Sequence, residues 1–175
     1  MSLYDKFLYF LYTQSMGSYL PFSWEIRRRI LRRLLRQELD GVVIGPHVFI
    51  DGYQHLKIGS HSSLNQGCFL SCAGGLEIGN HVGIGLGTTI LTAAHTFEQA
   101  DVPMRFQPMM CAPVKIGPNV LIGAKSTIHP GVTIAEGTVI AAGSNVTTSI
   151  YAPNTVVGSV GSARFIKNRL TAQEK

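Results

Sequence analysis

The chain has 175 residues, 45% of them hydrophobic and only 14% charged, with 19 glycines and a net charge of +5. That length buries one good core, so one domain with an added terminal segment is expected. Low charge with many glycines argues against an ordinary helical or α/β domain and for a regular, turn-rich β architecture. Cys68, Cys72 and Cys111 are odd in number and follow neither metal-ligand nor disulfide spacing. They read as small core or surface residues of a reducing, cytoplasmic compartment.

At the N-terminus the apolar run Phe7-Leu8-Tyr9-Phe10-Leu11-Tyr12 is far shorter than the ~20 residues of a spanning helix, and no small-residue cleavage site comes after it. Neither a signal peptide nor a transmembrane span is expected. Arg27, Arg28, Arg29, Arg32, Arg33 and Arg36 then crowd one stretch, with Ile26, Ile30, Leu31, Leu34 and Leu35 between them at helical spacing. Ser23 reads as its N-cap and Asp40-Gly41 as its stop, which predicts an amphipathic basic helix ahead of the repeats and assigns 1–40 to a helical segment. Its apolar stripe can cover the open end of a β domain while the arginines face solvent. The same arginines offer a peripheral contact to anionic lipid at the inner membrane surface. A nucleic-acid role is not expected, since no aromatic-basic interleaving or binding module accompanies the charge.

Repeats dominate the rest of the chain. Ile116, Ile122, Ile128, Ile134, Ile140 and Val146 recur every six residues, and Ile44/Ile50, Ile58/Leu64/Leu70 and Ile78/Ile84/Ile90 keep the same beat in shorter runs. Four residues after such positions stand small or β-branched residues: Val48, Ser62, Val82, Val120, Ser126, Val132, Thr138 and Ser144. Hexapeptide periodicity is the signature of a parallel β-helix, with three hexapeptides per eighteen-residue triangular coil and the apolar position pointing inward. The glycines and asparagines are expected at corners that need positive φ. The domain is placed at 41–163, with a tail at 164–175.

Between Ile90 and Ile116 the phase is lost, and an insertion spanning 91–115 carries His95. A long break in a strict repeat is usually functional. Pro113-Val114-Lys115-Ile116-Gly117 closes it. With small residues and a threonine before the histidine, this stretch resembles the hexapeptide-repeat acyltransferases, the group of maltose, galactoside, nodulation-factor and polysaccharide O-acetyltransferases. The resemblance covers about 42–168 and implies an all-β, left-handed parallel β-helix with an N-terminal α-helical segment. It also implies a homotrimer with sites in the clefts between subunits, and acetyl-CoA as co-substrate.

Acetyl transfer to a hydroxyl needs a base, because an alcohol that keeps its proton is a poor nucleophile. By resemblance His95 is that base, returning the proton to the departing CoA thiolate, and Asn65 helps hold a sugar or glycan acceptor. The backbone N–H of Ala124 is implied as an oxyanion donor, with Ala124 and Ala142 beside the pantetheine arm. Thr147 and Thr148 are implied as further cofactor contacts, and Arg164, Lys167 and Arg169 as partners of the CoA phosphates. Departures from the galactoside-type pattern stand at Leu121 (tryptophan there), Thr148 (lysine there) and Ser162 (proline there). A streptogramin-type antibiotic acetyltransferase uses the same histidine and is the alternative enzyme. Serine acetyltransferase would need more than the 40 N-terminal residues, and a trimeric scaffold without catalysis would give no reason for the insertion. His47, His61 and His81 recur at coil corners as in trimeric zinc enzymes, but no closely paired second histidine completes a ligand set, so no metal is expected. His129 reads as another turn residue.

Overall fold

The computed structural model describes residues 2–96 and 98–158, and the backbone of 164–168. Two helices open the chain, α1 (Leu3–Ser15) and α2 (Ser23–Leu35). Next come short strands in triangular coils. Coil one holds β1 (Val43–Ile44), β2 (Phe49–Asp51) and β3 (Leu56–Ile58); coil two holds β4 (Ser63–Leu64), β5 (Phe69–Ser71) and β6 (Leu76–Ile78). In coil three, β7 (Gly83–Ile84) and β8 (Thr89–Leu91) are followed by an inserted hairpin, β9 (Ala93–His95) and β10 (Met109–Cys111), before β11 (Val114–Ile116). Coil four is β12 (Leu121–Ile122), β13 (Thr127–Ile128) and β14 (Thr133–Ile134); β15 (Val139–Ile140) and β16 (Asn145–Val146) begin the fifth. An antiparallel pair, β17 (Thr155–Gly158) and β18 (Arg164–Asn168), ends the first face.

Each face is a parallel ladder in which the hexapeptide residues stack. Ile44, Leu64, Ile84, Ile122, Ile140 and Val157 are in register on the first face. Ile50, Leu70, Ile90, Ile128 and Val146 form the second stack, and Ile58, Ile78, Ile116 and Ile134 the third. All are buried, as are the small residues four positions on. The first coils are not eighteen residues long: Ile44 pairs with Leu64, and Leu64 with Ile84, at a spacing of twenty. The two extra residues fall at the corner between the second and third faces, and the inserted hairpin leaves coil three at that same corner.

Corner glycines such as Gly67, Gly87 and Gly143 and corner asparagines such as Asn119 and Asn154 have positive φ as expected, but within the Ile-Gly-x-His/Asn segments that begin at Ile44, Ile58, Ile78 and Ile116 the glycine has a different task. Positive φ falls on the fourth residue, His47 (53°), His61 (56°), His81 (58°) and Asn119 (56°), and not on the preceding glycine. His and Asn tolerate the left-handed region better than most residues with a Cβ. The glycine is required by contact instead: a Cβ on Gly79 would stand 2.7 Å from Pro118 N, and one on Gly117 2.7 Å from Glu136 N. Those histidines are therefore exposed turn residues, His61 and His81 stacked with ring centres 5.2 Å apart. Among the described residues no three His, Cys, Asp or Glu side chains gather as metal ligands.

The helices close the open end of coil one, where strand carbonyls lack a preceding coil. Arg27 Nε donates to Ile44 O (2.8 Å), Tyr9 OH to Ile50 O (2.9 Å) and Gln37 Nε2 to Ile58 O (3.2 Å), one acceptor on each face. Tyr12 OH adds Val48 O at 2.8 Å, and Leu8, Leu31, Leu34 and Leu39 supply the apolar lid. Three sequence expectations need correction. Arg27 is not solvated but 2% exposed, its Nη1 also donating to Ser15 O and Ser18 O. Ser23 is not the N-cap: Phe22 takes that place in the left-handed region, while the Ser23 hydroxyl turns inward to Ser18 O. The helix stops at Leu35, with Arg36 left-handed at φ 54°, ahead of Asp40-Gly41. Cys68 and Cys72 are buried and Cys111 is exposed; burial pushes the Cys72 thiol up to about 12 and keeps it protonated.

Candidate active site

The hairpin is rooted by Thr92, which is fully buried. Its hydroxyl donates to Ser71 O and accepts from Gly74 N, both at 2.8 Å, and its carbonyl accepts from Ala112 N at 2.9 Å. Gly74 has to be glycine, because a Cβ there would collide with Thr92 O. From this root β9 and β10 project as an antiparallel pair with His95 opposite Met109, and Thr96 N closes the pair on Pro108 O.

His95 is exposed near the end of β9, its Nδ1 3.4 Å from the Gln107 carbonyl oxygen. A carbonyl can only accept, so this contact selects the tautomer that carries its proton on Nδ1, in which Nε2 holds the lone pair. Gln107 is itself held: it is 4% exposed, its Nε2 donates to Gln99 O and Val102 O, both at 2.9 Å, and its Oε1 accepts from Gln99 N at 3.3 Å. One amide side chain thus pins the loop whose backbone orients the imidazole. Nothing in the sequence marked Gln107, since an isolated glutamine in a polar loop carries no periodic signal. Gln107→Ala is expected to lower turnover by roughly 10–100-fold through misplaced His95. Melting should scarcely change, because the loop lies outside the core; steady-state kinetics beside a thermal melt checks both.

The structure sorts the other candidates onto two corners of the triangle. Asn65, Ala124 and Ala142 follow β4, β12 and β15 at the corner between the first and second faces. Asn65 is exposed, its Nδ2 donating to Ile84 O at 2.8 Å, and the Ala124 carbonyl accepts from Gly143 N. Thr147 and Thr148 are exposed after β16, on the corner from which the His95 hairpin leaves. Among the described residues no hydrogen bond joins His95 to Asn65 or Ala124. Of Arg164 and Lys167 only the strand backbone is described, and Arg169 and Ser162 lie outside the described residues. His129 Nε2 meets Asn145 Oδ1 at 2.6 Å, which occupies it in a ladder contact.

Comparison with known proteins agrees with this architecture. The family description "Bacterial transferase hexapeptide (six repeats)" matches residues 113–148. A Saccharomyces cerevisiae chain named as an acetyltransferase is 34% identical over 142 residues, spanning 81% of this chain and 70% of that one. A maltose O-acetyltransferase from Clostridium difficile has a TM-score of 0.81 at 31% identity, covering 96% of this chain and 86% of that one. A hexapeptide-repeat acetyltransferase from Vibrio cholerae, solved with acetyl coenzyme A, gives 0.77 at 26% identity, covering 95% and 87%.

Proposed function

The chain belongs to the hexapeptide-repeat acetyltransferases, and from that premise we propose that it moves an acetyl group from acetyl-CoA to a hydroxyl of a sugar or polysaccharide precursor. The observation that carries this reading is the His95 imidazole, exposed on a buttressed hairpin with Nδ1 beside a carbonyl and no hydrogen bond at Nε2 among the described residues. Nε2 takes the proton of the acceptor hydroxyl as its oxygen attacks the thioester carbonyl. The imidazolium then returns that proton to the leaving thiolate, and the Gln107 carbonyl supports the positive ring between the two steps. The Ala124 N–H is assigned to the oxyanion, and Asn65 to the acceptor. The small side chains of Ala124 and Ala142 suit a narrow pantetheine groove, because a larger residue there would fill it.

The active assembly in this reading is a homotrimer. His95, Thr147 and Thr148 stand on one corner of the triangle and Asn65, Ala124 and Ala142 on another, so two copies meeting corner to corner complete what one chain leaves apart. Light scattering should give three times the 19.0 kDa chain mass, and a thiol-release assay with acetyl-CoA against a glycan panel should find an acceptor. An active monomer would overturn the shared site, and thiol release restricted to non-sugar acceptors would overturn the substrate class.

A further inference from the structure

Residues 1–40 carry seven Lys or Arg side chains against four carboxylates. Arg27 is used in the cap, but Arg29, Arg32 and Arg33 fall at i, i+3 and i+4 on the outward side of α2 and, with Arg36 just past the helix end, Gln37 and Glu38, line a cleft of about 580 Å³. Arg32 pairs with Glu38 at 2.6 Å and Arg29 with Glu25 at 3.1 Å, all four side chains remaining at least partly open to solvent; Arg36 stands 3.9 Å from Asp5. Arg33 makes no ion pair among the described residues. Phe22 (73% exposed) and Ile26 (54% exposed) extend the same side of the helix toward its start.

Helix α1 is apolar on the side away from the core as well as toward it. Leu8 and Tyr12 are buried, while Leu3, Phe7 and Phe10, at i, i+4 and i+7, are 86%, 56% and 55% exposed. The Arg36–Asp5 approach sets the end of α2 beside the start of α1, so the arginine and aromatic stripes belong to one helical hairpin. Exposed aromatics next to an arginine-rich helix face are what an interfacial surface presents to anionic lipid, and no helix among the described residues is long and apolar enough to cross a membrane.

We propose that this helical cap docks on a membrane bearing anionic phospholipid, the Arg29–Arg36 face meeting the lipid phosphates and the Leu3, Phe7 and Phe10 stripe entering the headgroup boundary. The placement also serves the catalytic reading. Tyr9 of α1 stacks on Tyr53 (5.4 Å between ring centres), at the elongated corner of coil one, and the His95 hairpin leaves coil three at the same corner, about 10 Å along the axis at ~4.8 Å per coil. An acceptor held at the membrane surface would therefore approach the hairpin from the docked end.

Co-sedimentation of the full chain with phosphatidylcholine vesicles, with and without phosphatidylglycerol, tests the surface without turnover, so its failure leaves the acetyltransferase reading standing. Binding to the anionic vesicles alone, weakening as salt rises, is expected. R29Q/R33Q should weaken it by roughly 25-fold, at about fivefold per arginine, and F7S/F10S should raise the fraction released by salt, with circular dichroism unchanged in both. Absence of binding at low salt, equal binding to neutral vesicles, or indifference to both variants would overturn the proposal. So would a fall in particle mass for F7S/F10S without vesicle binding by the wild type, which would assign the aromatic stripe to contact with a second copy.

Discussion

Replacing His95 with alanine is expected to lower turnover by about 10²–10⁴-fold, the usual worth of a positioned general base. The fold and the assembly should survive, because the side chain is exposed on the hairpin and, among the described residues, its one hydrogen bond is to the Gln107 carbonyl. The loss should fall on kcat, with CoA affinity retained, since the proton is in transit only in the transition state. His95→Gln keeps a donor for that carbonyl but offers no basic nitrogen, so it should be as impaired as the alanine variant. A variant turning over at near the wild-type rate would remove His95 from the mechanism.

Arg27→Ala should be the most damaging change outside the site. It strips donors from Ile44 O, Ser15 O and Ser18 O in a buried corner; Ser15 O keeps the Ser18 N–H and Ser18 O keeps the Ser23 hydroxyl, so Ile44 O is the acceptor left dry, at about 1–3 kcal/mol. A loss of about 2 kcal/mol lowers the melting temperature of a domain this size by roughly 4–8 °C. Arg27→Lys should recover little, because one ammonium group cannot reproduce a fork that reaches three carbonyls. Calorimetry decides; a melt within a degree or two of wild type would show that the cap does not depend on this side chain. The cap also has an alkaline signature. Burial raises the Tyr12 and Tyr9 hydroxyls above their ordinary value, so their contribution is complete below about pH 10. It is lost as pH climbs past that, where the unfolded chain ionises first. Tyr12→Phe should cost stability at neutral pH and flatten that alkaline decline.

The ladders were legible because a six-residue beat repeated over several coils is a local property of the chain, and Ile116 through Val146 stack where their spacing puts them. The lengthened early coils were less so. The intervals from Ile50 to Ile58 and from Leu70 to Ile78 read as lapses of phase, yet they are the corner from which the hairpin grows. That the Ile-Gly-x-His histidines sit at outward corners was legible, but the division of labour between glycine and histidine was not. Which residue takes positive φ and which must lack a Cβ depends on how closely the next coil approaches, and the motif does not record that distance.

By itself the sequence determined the solenoid, its inward-facing residues, the location of the break and the histidine within it, since each rests on periodicity or its interruption. Tertiary structure alone decided what is non-local. It turned Arg27 from a solvent charge into the clamp of the open end, because the carbonyls it serves lie up to seventeen residues away. It revealed Gln107 as the support of His95, twelve residues along the chain but adjacent across the hairpin. It also set the candidate residues on two separate corners of the triangle, a partition that follows from how many residues each corner consumes and that no single repeat contains.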